Sequence, residues 1–129
     1  MYEYVARIVQ VIDGDTFIAN VDVGFHMYSH QHLRLLNFEA PEIRGLERKI
    51  GLLAKAKLEE LLPVGLETRI RTEKSDSFGR WLAEVVWENG TLSEYLIKLG
   101  YGVLRRKGED RVPFNVDLPY PLLQSLEAP

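Results

Sequence analysis

At 129 residues with a formal net charge of −3, the chain is sized for one domain around one core and lacks the general excess of Lys and Arg on which non-specific polyanion binding rests. Hydrophobic residues at 46% and charged residues at 27% are ordinary for a soluble globular protein and exclude a disordered or collagenous chain. The absence of cysteine excludes disulfides, thiolate zinc sites and cysteine nucleophiles.

Residues 5–12 alternate as a strand, with Val5, Val9 and Val11 on one face and Tyr4, Ala6 and Ile8 on the other. A turn follows at Asp13-Gly14-Asp15, then a β-branched strand over 16–23 and a third over 32–36, with Gly24 in the connection. Pro41 and the terminal glycine make 38–45 a loop. The period then changes: Ile50, Leu53, Ala54, Leu58, Leu61 and Leu62 form one helical stripe, stopped by Pro63 and Gly65. Residues 67–73 alternate Thr68, Ile70 and Thr72 against Arg69 and Arg71, as in a half-exposed strand. A polar turn at 75–79, a strand over 82–87 and an Asn89-Gly90 turn come next. A second helix spans 91–99, opened by a capping-box spacing from Thr91 to Glu94 and ended at Gly100. Beyond Leu104 the chain is charged and then rich in proline, which predicts an extended arm with one short helical turn near 122–126. Three strands, a helix, two strands and a helix predict a small barrel with helices packed on it.

Two groups of residues carry chemistry. Asp13-Gly14-Asp15-Thr16 and Glu39-Ala40-Pro41-Glu42 offer oxygen donors that suit a hard cation, and such an ion would reverse the local field of an acidic protein. Arg34 and Arg80 supply planar, permanently charged forks matched to phosphate oxygens. Each group alone also reads as ordinary structure. Asp-Gly is a common turn, and Arg34 between Leu33 and Leu35 suits the outer face of a strand.

Together, Val11-Ile12-Asp13-Gly14-Asp15-Thr16, Leu33-Arg34-Leu35-Leu36, Glu39-Ala40-Pro41-Glu42 and Phe78-Gly79-Arg80-Trp81-Leu82-Ala83 resemble the staphylococcal nuclease (thermonuclease) family in order, spacing and type. Gly51 and Ala54 match that family's helix signature, and the likeness runs from Val5 to Leu104. It implies a mainly β fold with α, a five-stranded OB-fold barrel carrying two or three helices. On this reading residues 1–104 form the nuclease-like region, and 105–129 a charged, then proline-rich arm of the same domain.

The resemblance further implies a calcium-dependent endonuclease acting on DNA, RNA or both and leaving 3′-phosphates. Asp15 and Glu39 would hold Ca2+ through their side chains and Ala40 through its carbonyl. Glu42 would be the general base, and Arg34 and Arg80 would bind the scissile phosphate. The alternative from the same scaffold is a catalytically weak or inactive OB-fold module that binds nucleic acid or protein.

Several positions depart from the family pattern. Glu39 stands where aspartate is usual, Ala40 where a small hydroxyl residue is usual, and Phe78 where a tyrosine often lies beside the phosphate. An aromatic pair that stacks on the base has no counterpart, which removes about 1 to 3 kcal/mol per base. Arg105, Arg106 and Lys107 fill that stretch, either as phosphate contacts or as a solvated run. His26, His30 and His32 read as surface or half-buried residues, and Trp81 and Trp87 as core.

No apolar run approaches bilayer length, and Met1-Tyr2-Glu3-Tyr4 lacks the basic and apolar regions of a signal peptide. An intracellular protein without a membrane partner is expected. A monomer is expected too, the arm being the segment through which a dimer would form.

Overall fold

The computed structural model describes residues 2–73 and 80–122. Its first third is a meander of β1 (Tyr2–Asp13), β2 (Thr16–Gly24) and β3 (Met27–Leu35), followed by a short β4 (Phe38–Glu39). A single 3-10 turn (Gly45–Glu47) leads into α1 (Arg48–Leu61), after which come β5 (Glu67–Glu73), β6 (Trp81–Trp87), β7 (Gly90–Thr91), α2 (Leu92–Lys98) and β8 (Val103–Leu104). The strands run in the order β3-β2-β1-β5-β6, and β6 returns to β3 in parallel, with Leu33 opposite Trp81 and Leu35 opposite Ala83. The remaining pairings in the barrel are antiparallel. The result is a closed five-stranded mixed barrel with two helices, the small barrel that the element order predicts and the OB architecture that the resemblance implies.

Phe17, Ile8, Leu33, Leu35, Ile70 and Val85 fill the barrel, and Leu58, Leu62, Leu92 and Leu96 extend the core beneath the helices. The inward face of β1 differs from strict alternation. Ala6 and Ile8 are buried before a register shift between Ile8 and Gln10, and Val11 after it, while Val5 is exposed. The bulge adds one residue and so inverts the parity. β3 begins at Met27, five residues before the predicted start, because its first half has few apolar residues to mark it. That half is held by pairing with β2, including His30 Nδ1 at 2.8 Å from Asn20 Oδ1. The predicted loop at 38–45 opens with β4, whose two residues pair with Val103 and Leu104, too short a run to carry a period. Leu53, predicted on the buried stripe of α1, is exposed.

α1 is pressed against the loops that follow β1 and β4. A Cβ added at Gly51 would lie 1.9 Å from the Glu42 carbonyl oxygen, and one at Gly14 would lie 2.7 Å from the Cβ atoms of both Ala40 and Ala54. These small residues let three backbone segments converge at one end of the barrel. At α2 the predicted cap is present, with Thr91 Oγ1 accepting from the Glu94 N–H at 3.2 Å.

The described part of the arm, 105–122, carries no helix or strand. It is fastened to the body by Tyr120, whose hydroxyl donates to the Tyr101 carbonyl at 2.7 Å, and by the Leu122 N–H, which donates to the Gly100 carbonyl at 2.8 Å. The predicted turn at 75–79 lies outside the described residues, as does the predicted helical turn beyond Leu122. No helix among the described residues is long and apolar enough to cross a membrane.

Candidate active site

Asp15 lies in the turn just before β2, where its N–H donates to Asp13 Oδ1 at 3.0 Å and tightens the turn. Its carboxyl is buried, accepting from Thr16 Oγ1 at 3.0 Å and from the Ala40 N–H at 3.1 Å. Burial pushes this carboxyl up to about 7, Asp13 beside it adds to the rise, and Arg34 opposes it.

Arg34, opposite Thr16 in the β2–β3 ladder, turns inward rather than to solvent. Its Nη2 is 2.8 Å from Glu39 Oε1 and 3.5 Å from Asp15 Oδ2. Glu39 is only 4% exposed. Its Oε1 also accepts from Arg105 Nη1 at 2.5 Å, and its Oε2 accepts from Arg111 Nε at 3.1 Å. The extra methylene of Glu39, relative to the aspartate usual in the resemblance, thus carries the carboxylate into the middle of three guanidinium groups.

Arg111 continues the network. Its Nη2 approaches the Ala40 carbonyl at 3.4 Å and donates to Glu47 Oε1 at 2.5 Å, while Nη1 donates to Glu47 Oε2 at 3.1 Å. Glu47, buried in the 3-10 turn, also accepts from the backbone N–H groups of Glu42 at 2.9 Å and Phe114 at 3.0 Å. Glu42 itself is largely solvent-exposed, with Oε1 at 3.8 Å from Arg111 Nε.

Beside this network lies a cavity of about 410 Å³ lined by Arg34, Arg80, Arg105, Arg106 and Lys107. A larger hollow of about 470 Å³ opens among Tyr2, Tyr4, Val23 and Trp81, but among the described residues its one charged lining residue is Glu73, which does not suit a phosphate. Trp81 and Trp87 are therefore not core: Trp81 lines that hollow, and Trp87 packs edge-on against Tyr95 at 5.3 Å. His26, His30 and His32 are exposed.

The structure thus brings together Asp15, Arg34, Glu39, Ala40, Glu42 and Arg105, with Arg80 and Arg106 reaching the same place through the cavity. Phe78 lies outside the described residues. Arg111 and Glu47 are the members that sequence reasoning missed.

A model of the staphylococcal nuclease homologue family matches residues 32–117, two thirds of the chain. The chain belongs to the staphylococcal nuclease family. No curated protein matches it. The matched span holds Arg34, Glu39, Glu42, Arg80, Arg105 and Arg111, whereas Asp15 precedes it.

Membership implies a nucleic-acid substrate and calcium. In this nuclease homologue the expected calcium donors do not fit the ion as they stand. Both Glu39 oxygens are held by guanidinium groups, and the Ala40 carbonyl faces Arg111. Among the described residues no three His, Asp or Glu side chains are grouped to hold a metal ion.

Arg111, together with two backbone donors, holds the Glu47 carboxyl down at about 2, against an ordinary value of 4.5. A carboxyl depressed on folding contributes stability above its unfolded value and loses it as pH falls toward the folded one. The urea midpoint of unfolding is therefore expected to drop between about pH 4.5 and 2. A Glu47→Gln variant, less stable at neutral pH, should lose less over that window; parallel curves for the two proteins would contradict this origin.

Proposed function

We propose that this chain is an endonuclease that hydrolyses phosphodiester bonds of DNA, RNA or both at the arginine-lined end of the barrel. The observation that carries the reading is the cavity lined by Arg34, Arg80 and Arg105, which adjoins a network that Glu42 borders. A phosphodiester anion needs its charge offset as the pentacovalent state forms, and preformed guanidinium donors offset it without reorganising. Arg34 is oriented before substrate arrives, by Glu39 and Asp15.

Glu42 has the opposite character. Its solvent-exposed carboxylate takes a proton from water, the oxygen attacks phosphorus in line, the P–O5′ bond breaks with its electron pair on the 5′ oxygen, which is protonated by solvent, and Glu42 returns its proton to solvent, leaving a 3′-phosphate and a 5′-hydroxyl. Asp15 and Glu39, both buried and bonded, serve here to position Arg34. Calcium would add charge neutralisation and a more acidic water. The roles of Glu42 and the arginines do not pass through it, because the donors do not fit the ion.

The reading is tested on single-stranded DNA and RNA labelled at the 5′ end. Arg80→Ala is expected to lower cleavage by about 100-fold or more, as loss of one transition-state donor does. Cleavage untouched by Arg80→Ala would place the activity elsewhere. Tight binding without cleavage by the native chain would favour the binding-module reading.

A further inference from the structure

The position of Arg111 goes beyond phosphodiester cleavage as such. Its guanidinium lies against Glu39 Oε2 (3.1 Å), the Ala40 carbonyl (3.4 Å) and Glu42 Oε1 (3.8 Å). Glu39 and Ala40 are two of the donors expected to hold a divalent ion, and Glu42 is the expected base. Arg111 is also clamped from behind. Glu47 takes two of its nitrogens, Glu47 is itself locked by the N–H groups of Glu42 and Phe114, and the Phe114 ring lies 5.8 Å from the guanidinium carbon.

Charge balance points the same way. The buried carboxylates Glu39 and Glu47 are met by three guanidinium groups, those of Arg34, Arg105 and Arg111, and the carboxyl of Asp15 lies 3.5 Å from Arg34. A divalent ion added among these donors would place two further positive charges beside Arg111 in a poorly solvated setting, where repulsion is strong.

We propose that Arg111 is the resident cation of this site, seated permanently where a divalent ion would sit, so that the site binds phosphodiesters without calcium. An arginine keeps its charge at any working pH, and here its donors are spent on Glu39, Ala40 and Glu47, so that its part is to hold positive charge in the seat while Arg34, Arg80 and Arg105 line the cavity that meets the phosphate. The methylene added at Glu39 serves this seat, because it lets one carboxylate reach Arg34, Arg105 and Arg111 at once. The binding claim is independent of the nuclease reading, while cleavage in chelator rests on it.

The test follows a fluorescein-labelled single-stranded oligonucleotide by anisotropy, in chelator and in millimolar calcium at matched ionic strength, alongside calorimetric titration of the chain with calcium chloride. The native chain is expected to give no saturable calcium heat, and its oligonucleotide Kd should agree between conditions within about twofold. Arg111→Met, which removes the charge and keeps most of the bulk, should weaken binding about tenfold or more in chelator and regain part of it in calcium.

Saturable calcium binding by the native chain, with a melting temperature raised by several degrees, would overturn the proposal, and that measurement needs no variant. Oligonucleotide binding that requires calcium would overturn it equally. A chain that binds equally in both conditions and cleaves in neither would uphold Arg111 as the cation and defeat the nuclease reading alone.

Discussion

Glu42→Gln is expected to lower kcat by about 10²- to 10⁴-fold, the range that a positioned general base contributes, with KM little changed. The substitution is clean because the two roles of this residue are separate. Its backbone N–H supports the fold by donating to Glu47 Oε1 at 2.9 Å. Its side chain is exposed and only loosely approached by Arg111, whose Nε is 3.8 Å from Oε1. Glutamine keeps the backbone donor, the size and the polarity, and loses the capacity to hold a proton. The melting temperature should therefore stay within about 2 °C of the native value, as for surface changes that leave packing intact. A variant with native kcat would show that the base lies elsewhere. One that lost activity and stability together would show that Glu42 acts through the loop.

Gly51→Ala should have the largest effect on the fold. In an ordinary helix interior this change stabilises by roughly 1 kcal/mol. Here the added Cβ would meet the Glu42 carbonyl oxygen at 1.9 Å, its carbon at 2.3 Å and the Ile43 nitrogen at 2.8 Å. These are backbone atoms, so no rotamer change relieves the overlap, and α1 must separate from the 40–43 segment. The sign reverses, and a loss of about 3 kcal/mol or more is expected in urea unfolding. Because the displaced segment carries Ala40 and Glu42, cleavage should fall as well. A Gly51→Ala protein as stable as the native one would mean that the packing of α1 on this loop is looser than described.

The gap between what could be read in the sequence and what the structure holds has a consistent cause. Features with a local period were legible: the apolar stripe of α1, the Thr91-to-Glu94 cap, the alternation in β5 and the turn at Asp13-Gly14-Asp15. Asp15, Arg34, Glu39, Glu42 and Arg80 were legible as a set because they sit in short motifs at strand ends and loops. Arg111 and Glu47 were not, since they meet across 64 residues and neither belongs to a long regular element. A single arginine before Val112-Pro113 has no pattern to distinguish it from a solvated residue. Parity failed in β1 for a different reason: a bulge is one inserted residue, and nothing in Ile8-Val9-Gln10 marks it. The exposure of Trp81 and Trp87 shows the limit of residue type as a guide to burial, because both strand ends leave one face to solvent.

Glu39 shows how a departure from a family pattern gains meaning from geometry. Read alone, its longer side chain displaces a ligand by about one bond length, enough to disturb a site sensitive to misplacement of about 1 Å. In the folded chain the same length serves a carboxylate shared by three arginines.

The claim that this end of the barrel cleaves phosphodiesters is tested most directly by resolving the products of a 5′-labelled single-stranded oligonucleotide, with native protein and Glu42→Gln purified in parallel. The native protein should yield fragments whose 3′ ends block polymerase extension until treated with phosphatase, and Glu42→Gln should yield almost none. No fragments above background with the native protein, or equal yields from both proteins, would contradict the assignment.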